Sequence, residues 1–203
     1  MKNFKTKIAT IAVLVFGYST SRAADGGLFV EPSITYEASS TAKVDWPSPL
    51  SSSAGSVLGL GIGARLGVHL ADIFFVGADA RYSQPKFKDS DNSFEADSAS
   101  LNYGVVAGLQ TPVAGLRVWG GYVLGGEIDP KEDNGFNFKF KEATGYRVGA
   151  GLYVAVVSVN LEYQSLKYNT AELQDAGAFT GNLDNTTMTN DAYVLSVSFP
   201  IAL

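Results

Sequence analysis

The stretch VLGLGIGARLGVHL, residues 57–70, places glycine at every second position until Arg65 takes the place of the next one. The positions between the glycines hold leucine and isoleucine, so one face is large and apolar while the other is nearly empty. A period of two is the period of a β-strand, because successive side chains point to opposite faces. The stretch therefore predicts a strand with one apolar face and one face that has room for a charge.

The same glycines match the spacing of a dinucleotide-binding turn, G-x-G-x-x-A, through Gly59, Gly61 and Ala64, with Asp79 downstream. Such a site needs a buried strand before the glycines and a helix that starts among them. Residues 50–55 have the composition of a loop instead, and the period stays at two as far as His69. We therefore interpret the glycines as part of a strand and not as a nucleotide site.

The first residues have the pattern of a secretory signal peptide. Lysines precede an apolar stretch, Ile8 to Tyr18, and Ser21-Arg22-Ala23 forms a small-x-small cleavage site. We expect cleavage after Ala23, which leaves residues 24–203 as a single domain. The mature chain loses four of the 15 basic residues and none of the 20 acidic ones, so its net charge becomes −9 and a nucleic-acid partner is not expected. The chain has no cysteine, so disulfides cannot stabilise it.

The period of two recurs along nearly the whole mature chain, and turn residues bound each alternating segment. Eight such segments are present: Leu28–Glu37, Val57–Leu70, Ile73–Gln84, Ala99–Gln110, Leu116–Ile128, Thr144–Val154, Val157–Tyr168 and a last one through Tyr193 to Leu203. Tight turns and long polar connections alternate between them, the long ones being residues 38–54, 85–98, 129–143 and 169–190. This pattern predicts an all-β fold, an eight-stranded antiparallel up-and-down transmembrane β-barrel with short periplasmic turns and long extracellular loops.

The charged residues within the segments decide which face lies inside. They fall on the face opposite the apolar row, whereas a soluble barrel has its apolar face inside. We therefore expect a lumen that is plugged by a charge network of Glu31, Arg65, Asp79, Arg81, Arg147 and Glu162, with Arg117 and Glu127 also on the inner face.

The expected register brings two oppositely charged pairs together in this network. Antiparallel pairing about Ala71 places Arg65 diagonal to Asp79, within reach of a long side chain. Arg147 and Glu162 stand in a similar relation across a later tight turn.

Aromatic residues are predicted at both edges of the apolar face and in the loops. Two girdles at the water interfaces should contain Tyr36, Tyr82, Tyr103, Tyr163 and Tyr193 toward the long loops, and Phe74 and Phe199 toward the short turns. In the loops, a possible surface contact is formed by Trp46, Phe136, Phe138 and Phe140. The three phenylalanines alternate in step with Tyr146, so we expect strands five and six to continue beyond the membrane as a ribbon.

The signal peptide and the eight alternating strands resemble the small outer-membrane barrels of the OmpA, OmpX and OmpW type. The resemblance implies an integral protein of the cell outer membrane, with outer-membrane lipid, lipopolysaccharide and the outer-membrane assembly machinery as partners. The last segment resembles the C-terminal assembly signal of such barrels, although Leu203 stands where the usual aromatic residue would be. The sequence names no extracellular partner and indicates no metal or other cofactor.

Three functions are open on these observations. We expect a non-enzymatic barrel with a plugged lumen and a structural or surface-interaction role. The alternative is a protein that resembles the OmpW type and passes small hydrophobic molecules across the outer membrane. The third is a lipid-modifying enzyme, which needs a histidine at the outer leaflet, whereas His69 is the chain's one histidine and sits at a tight turn.

Overall fold

A computed structural model describes residues 27–49, 51–71, 73–91, 94–111, 115–132, 137–154, 156–176, 179–183 and 185–203. The expected signal peptide, residues 1–23, lies outside this range. The strands are β1 Leu28–Asp45, β2 Ser53–Leu70, β3 Phe74–Asp89, β4 Phe94–Gln110, β5 Leu116–Pro130, β6 Asn137–Val154, β7 Val157–Ala176, β8 Phe179–Leu183, β9 Thr187–Ser198 and β10 Ile201–Ala202. None of the described residues belongs to a helix that is long and apolar enough to cross a membrane.

The strands form a closed ring. Each strand from β1 to β7 pairs antiparallel with the next one, and β9 pairs with both β7 and β1, which closes the sheet. The short β10 continues the line of β9 along β1 after Pro200, and β8 extends the ring above β9 by pairing with β7. The predicted eight-stranded antiparallel up-and-down barrel is thus confirmed.

The strands are longer than the sequence pattern indicates, and this corrects the predicted loops. For example, β1 reaches Asp45 where the pattern ended at Glu37, and β6 begins at Asn137 where the pattern began at Thr144. Most residues of the four predicted long loops are therefore strand residues that carry the barrel wall upward. They were predicted as loops because their outward positions are polar, which hides the alternation that marks the rest of each strand.

Two regions of the barrel are distinguished by their outer surface. In the belt region, from the tight turns up to the tyrosines, large apolar side chains such as Ile62 and Leu124 are exposed on the outside. The upper region lies above the tyrosines and consists of residues 38–45, 53–57, 84–89, 94–98, 125–130, 137–143, 165–176 and 187–191. Its outward positions hold mainly charged and hydroxyl side chains, such as Lys86, Lys88 and Glu95.

Local irregularities between the two regions reverse the alternation of inward and outward side chains on three strands, β1, β5 and β6. The register shifts after Glu37 in β1, and it shifts again where β4 meets β5 at Tyr103 and Gly104. As a result Ile128, expected to face lipid, points inward and is 1 % exposed. Glu127, expected inside, lies on the outer side and contacts Lys139 at 2.8 Å between Oε1 and Nζ.

Strands β5 and β6 continue to pair above the tyrosines, through Glu127 with Lys141 and Ile128 with Phe140, but Phe138 and Phe140 face the opposite way from the expectation. Glu142 has a φ of 58°, in the left-handed region, and breaks the alternation of β6 there. Phe140 is consequently buried inside the barrel, and Phe138 packs partly buried against the same core. Phe136 lies outside the described residues.

Candidate functional site

The barrel interior contains three layers of side chains, of which the lowest, near the tight turns, is aromatic. Phe29, Phe75, Val106 and Trp119 are buried together there, and the rings of Phe29 and Phe75 meet edge to face at 6.1 Å. Phe75 also lies under the guanidinium of Arg117, at 5.2 Å from Cζ to the ring centroid. The lowest layer thus joins an apolar floor to the charges above it.

Glu31 forms the first ion pair of the middle layer. Both terminal nitrogens of Arg117 donate to its carboxylate, at 2.9 and 2.7 Å, and the hydroxyl of Ser198 donates to Oε1 at 2.6 Å. Arg117 is 1 % exposed, so this bidentate pair is almost completely removed from solvent. Sequence reasoning placed Arg117 on the inner face but left it out of the predicted charge network. Arg117 is only the second residue of β5, so its backbone lies close to the turn and below the other charged residues.

Glu162 forms the second bidentate pair. Arg81 donates to its two oxygens at 2.6 and 2.9 Å, and the indole N–H of Trp119 donates to Oε2 at 2.9 Å. Because Arg81 lies on β3 and Glu162 on β7, the pair crosses the lumen instead of following one wall. Trp119 connects this pair to the aromatic floor.

Asp79 accepts from Arg147, whose other terminal nitrogen donates to the side-chain oxygen of Asn102. Arg65 stands between two carboxylates, with nitrogens 3.8 Å from Glu31 and 3.7 Å from Asp79. Its guanidinium also lies over the ring of Trp119, at 5.3 Å. All six residues of the predicted network are therefore in one cluster, but the shortest contacts differ from the expected pairs.

The register explains this difference. Arg65 is paired directly with Asp79, because the centre of the β2–β3 pairing lies one residue further along the chain than expected from the sequence. Arg147 lies diagonal to Glu162, as expected, with Nε 3.8 Å from Oε1. The closest partners of Arg81, Arg117 and Arg147 nevertheless come from strands that are not their neighbours, and sequence spacing holds no information on contacts between distant strands.

The middle layer is balanced in charge. Its four arginines face four carboxylates, since Glu37 joins the other three near the top and accepts from Gln164 at 2.9 Å. Sequence reasoning missed Glu37, although it continues the inward row of Glu31 by three alternations. A cavity of about 20 Å³ remains beside the serines and threonine of β1 and β9, which is room for about one water molecule.

The top layer, inside the upper region, is a hydrophobic core. It consists of Ala42, Val44, Val57, Phe87, Val123, Ile128, Phe140, Ala143, Leu166, Tyr168, Ala171 and Met188. The rings of Phe87 and Phe140 stack at 6.2 Å. The sequence pattern did not predict this core, because seven of its twelve members lie in the stretches that look like polar loops and the other five lie at or toward the ends of predicted strands that adjoin those loops.

Aromatic residues at the rim complete the top layer. Trp46 packs against Phe138 at 5.5 Å, and its indole N–H donates to the hydroxyl of Ser53 at 3.1 Å. That hydroxyl in turn donates to the buried carboxylate of Asp89 at 2.7 Å. Trp46 and Phe138 are partly buried, so the structure places them against the core more than in contact with solvent.

The predicted girdle residues lie on the outer face. Tyr36, Tyr82, Tyr103 and Tyr193 are exposed at the top of the belt region, and Phe74 is exposed near the tight turns. Tyr163 packs against Tyr193 at 5.4 Å and against Tyr146 at 6.2 Å, which adds Tyr146 to the girdle. Phe199 is half-buried after the end of β9.

The outer surface of the upper region carries exposed ion pairs. Lys86 contacts Glu95 at 2.9 Å, and the hydrogen bond to that carboxylate raises the pKa of Lys86 above its usual value. His69 lies at the opposite end of the barrel, with its ring 4.6 Å from that of Phe29. Across the described ranges, no group of three histidine, cysteine, aspartate or glutamate side chains is arranged to hold a metal ion.

Comparison with known proteins shows no matching family model and no matching curated protein. Among solved structures, the chain is similar to Neisserial surface protein A, with 14 % identity and a TM-score of 0.47 over 85 % of this chain and 96 % of that one. It is similar to the attachment invasion locus protein Ail of Yersinia pestis, with 12 % identity and a TM-score of 0.44 over 86 % and 99 %. OprG from Pseudomonas aeruginosa gives 10 % identity and a TM-score of 0.49 over 90 % and 100 %.

The first of these solved structures is named a surface protein and the third an outer-membrane protein, and the likeness to this chain concerns the fold alone. The resemblance to small outer-membrane barrels, predicted from the sequence, is confirmed at that level, and the closed ring of eight strands is its basis.

Proposed function

We propose that the chain is a non-enzymatic, integral outer-membrane barrel with a side-chain-plugged lumen and a structural or surface-interaction role. The observation that carries the proposal is the continuous filling of the interior by an aromatic floor, a charge-balanced middle and a hydrophobic top. An ion that entered from either end would meet packed apolar side chains before it reached the charges. His69, at the tight-turn end, is far from where an outer-leaflet enzyme would need it, which supports a role without catalysis.

The proposed orientation of the barrel in the membrane follows from the change at the tyrosines, where the outer surface changes from apolar to charged. The belt region, with its exposed apolar side chains, would be embedded in outer-membrane lipid, and the upper region would project among lipopolysaccharide into the medium. The tight turns would then lie in the periplasm, where the last strand meets the assembly machinery after the signal peptide has directed export.

Conductance in planar lipid bilayers tests the plug. We expect refolded protein to give no steady current. Different migration of boiled and unboiled samples on detergent gels serves as the folding control, because a closed, fully paired barrel resists detergent. A steady open pore in the unmutated protein would contradict the proposal.

The second candidate is passage of small hydrophobic molecules, and the apolar interior of the upper region is the observation that favours it. Such passage requires the buried rings of Phe87 and Phe140 to move aside. Uptake of an aromatic hydrocarbon by vesicles that contain the protein distinguishes the two candidates. Uptake above that of protein-free vesicles would favour passage over a purely structural role.

A further inference from the structure

A cleft of about 620 Å³ lies on the barrel where the belt region meets the upper region. Tyr82 and Gln84 of β3 line one side, and Asn137 of β6 and Gln174 of β7 line another. The upper ends of β6 and β7, where β6 begins and β7 ends, therefore lie beside the outer face of β3 to β5. The volume is in the range of sites that hold a small ligand.

The polar groups of the cleft are suited to a ligand that both donates and accepts hydrogen bonds. Three of them are side-chain amides, which carry both functions. Gln84 donates to the hydroxyl of Tyr82 at 3.2 Å, which orients this pair. Oδ1 of Asn137 is buried and has no hydrogen-bond partner among the described residues, and a ligand hydroxyl is a donor that would satisfy it.

The charges of the cleft disfavour an anionic ligand. Asp97, Asp129 and Glu132 face a single lining lysine, Lys131, which already contacts Asp97 at 3.6 Å. Lys139 also lies 3.4 Å from Asp129, so three carboxylates still outnumber two lysines, and a phosphate or sulfate group would meet this net negative charge at close range. The exposed ring of Tyr82 adds an apolar surface on which a ring with C–H groups can pack.

We propose that this cleft binds neutral sugar rings. Sugar hydroxyls both donate and accept, and they match the amides, the carboxylates and the unsatisfied oxygen of Asn137. The sugar can come from the headgroup of a glycolipid, because Tyr82 sits at the predicted lipid–water interface, or from a soluble saccharide. This site does not depend on the plugged lumen, and only the glycolipid source rests on the proposed membrane orientation.

Ligand-observed saturation-transfer NMR with the protein in phosphatidylcholine nanodiscs tests the site. The probes are lactose, which is neutral, and 3′-sulfolactose, which adds one negative charge. We expect lactose to bind and 3′-sulfolactose to bind about tenfold more weakly. Absence of lactose binding, or equal binding of both probes, would overturn the proposal.

Cleft variants connect binding to these residues. The double variant Gln84→Ala with Asn137→Ala should weaken lactose binding about tenfold, and Thr189→Ala, on the strand β9 away from the cleft, should leave it unchanged. Gln174→Ala is the substitute if the double variant shows no heat-modifiable migration. Unchanged binding by a folded cleft variant would refute the assignment.

A second set of nanodiscs that contain lactosylceramide distinguishes the two sources of sugar. Displacement of free lactose by this glycolipid identifies the membrane as the source, and undiminished lactose binding identifies a soluble saccharide. The conductance measurement is independent of both, so failure of this site and failure of the plug can be told apart.

Discussion

The belt region and the upper region share the same eight strands but exchange the chemistry of their two faces. On β3, the outward residues change from Val76 to Lys86, and the inward residues change from Asp79 to Phe87, without any shift in the alternation. The outside of the belt region is apolar around an interior that is charged above a small aromatic floor. The outside of the upper region is charged around a hydrophobic core.

In the proposed membrane orientation, this difference follows from the medium that surrounds each region. Lipid requires an apolar exterior, so the interior of the belt region is left to polar side chains that must satisfy one another. Water favours the burial of apolar residues, so the upper region packs like a soluble barrel. Ion pairs therefore hold the inside of the belt region together, and packing holds the inside of the upper region.

The largest expected effect comes from breaking an ion pair in the belt region. Arg117→Met leaves the Glu31 carboxylate buried without its partner and should lower the free energy of unfolding by about 3–5 kcal/mol. Adding Glu31→Gln should recover part of this loss, because no buried charge then remains uncompensated. Urea unfolding in lipid vesicles measures both, and strictly additive changes would contradict the pairing.

Truncation in the core of the upper region should have the next largest effect. Phe140→Ala removes a buried ring that stacks on Phe87 and should cost about 3 kcal/mol, at the low end for such changes because the rim can relax. Unfolding by urea is again the measurement. Thr41→Ala, at an exposed position of the same region, is the control and should be neutral. A neutral Phe140→Ala would show that this core does not support the barrel.

An arginine on the outer face should distinguish the two regions on one strand. Ile62→Arg places a charge in the belt region, where about 2 kcal/mol or more is lost near the middle of a bilayer. Ala54→Arg places the same residue on the same face of β2 in the upper region and should be tolerated. Equal refolding yields for the two variants would mean that Ile62 does not face lipid.

The smallest effect is expected for the surface ion pairs of the upper region. Lys86→Ala removes the contact with Glu95, but both side chains are exposed and water screens their attraction. We expect no measurable change in the urea midpoint. A loss comparable to that of Arg117→Met would contradict the contrast between buried and exposed charges.

The strands of the belt region could be predicted from sequence because every second side chain there is apolar. That alternation directly indicates which face of each strand points outward. Residues 57–70 alone indicated the strand, the lipid face and the position of Arg65 inside. The period also held on β3 across the predicted strand end, but Phe87 was missed because Lys86 and Lys88 made its surroundings look like a loop. Side-chain alternation thus locates a strand, but which of its two faces is buried depends on the medium outside.

Two kinds of feature were beyond the sequence pattern. Irregularities such as Glu142, in the left-handed region, turn Phe140 inward without any signature in the alternation itself. Contacts across the lumen, such as Arg81 with Glu162, depend on strand tilt and on how far long side chains reach. To predict the pairing of Arg65 with Asp79, only the centre of the β2–β3 pairing was needed. An error of one residue in that centre changed the predicted relation from directly opposite to diagonal.

Reactivity of single cysteines along β3 tests the exchange of polarity most directly, since the chain has no cysteine of its own. Val76, Ala80, Lys86 and Lys88 all point outward on this strand, the first two in the belt region and the last two in the upper region. Each is replaced by cysteine, and the refolded protein in lipid vesicles is treated with a membrane-impermeant maleimide. The account predicts rapid labelling at positions 86 and 88 and protection at positions 76 and 80, with all four reactive after unfolding. Equal labelling at the four positions in vesicles would contradict it.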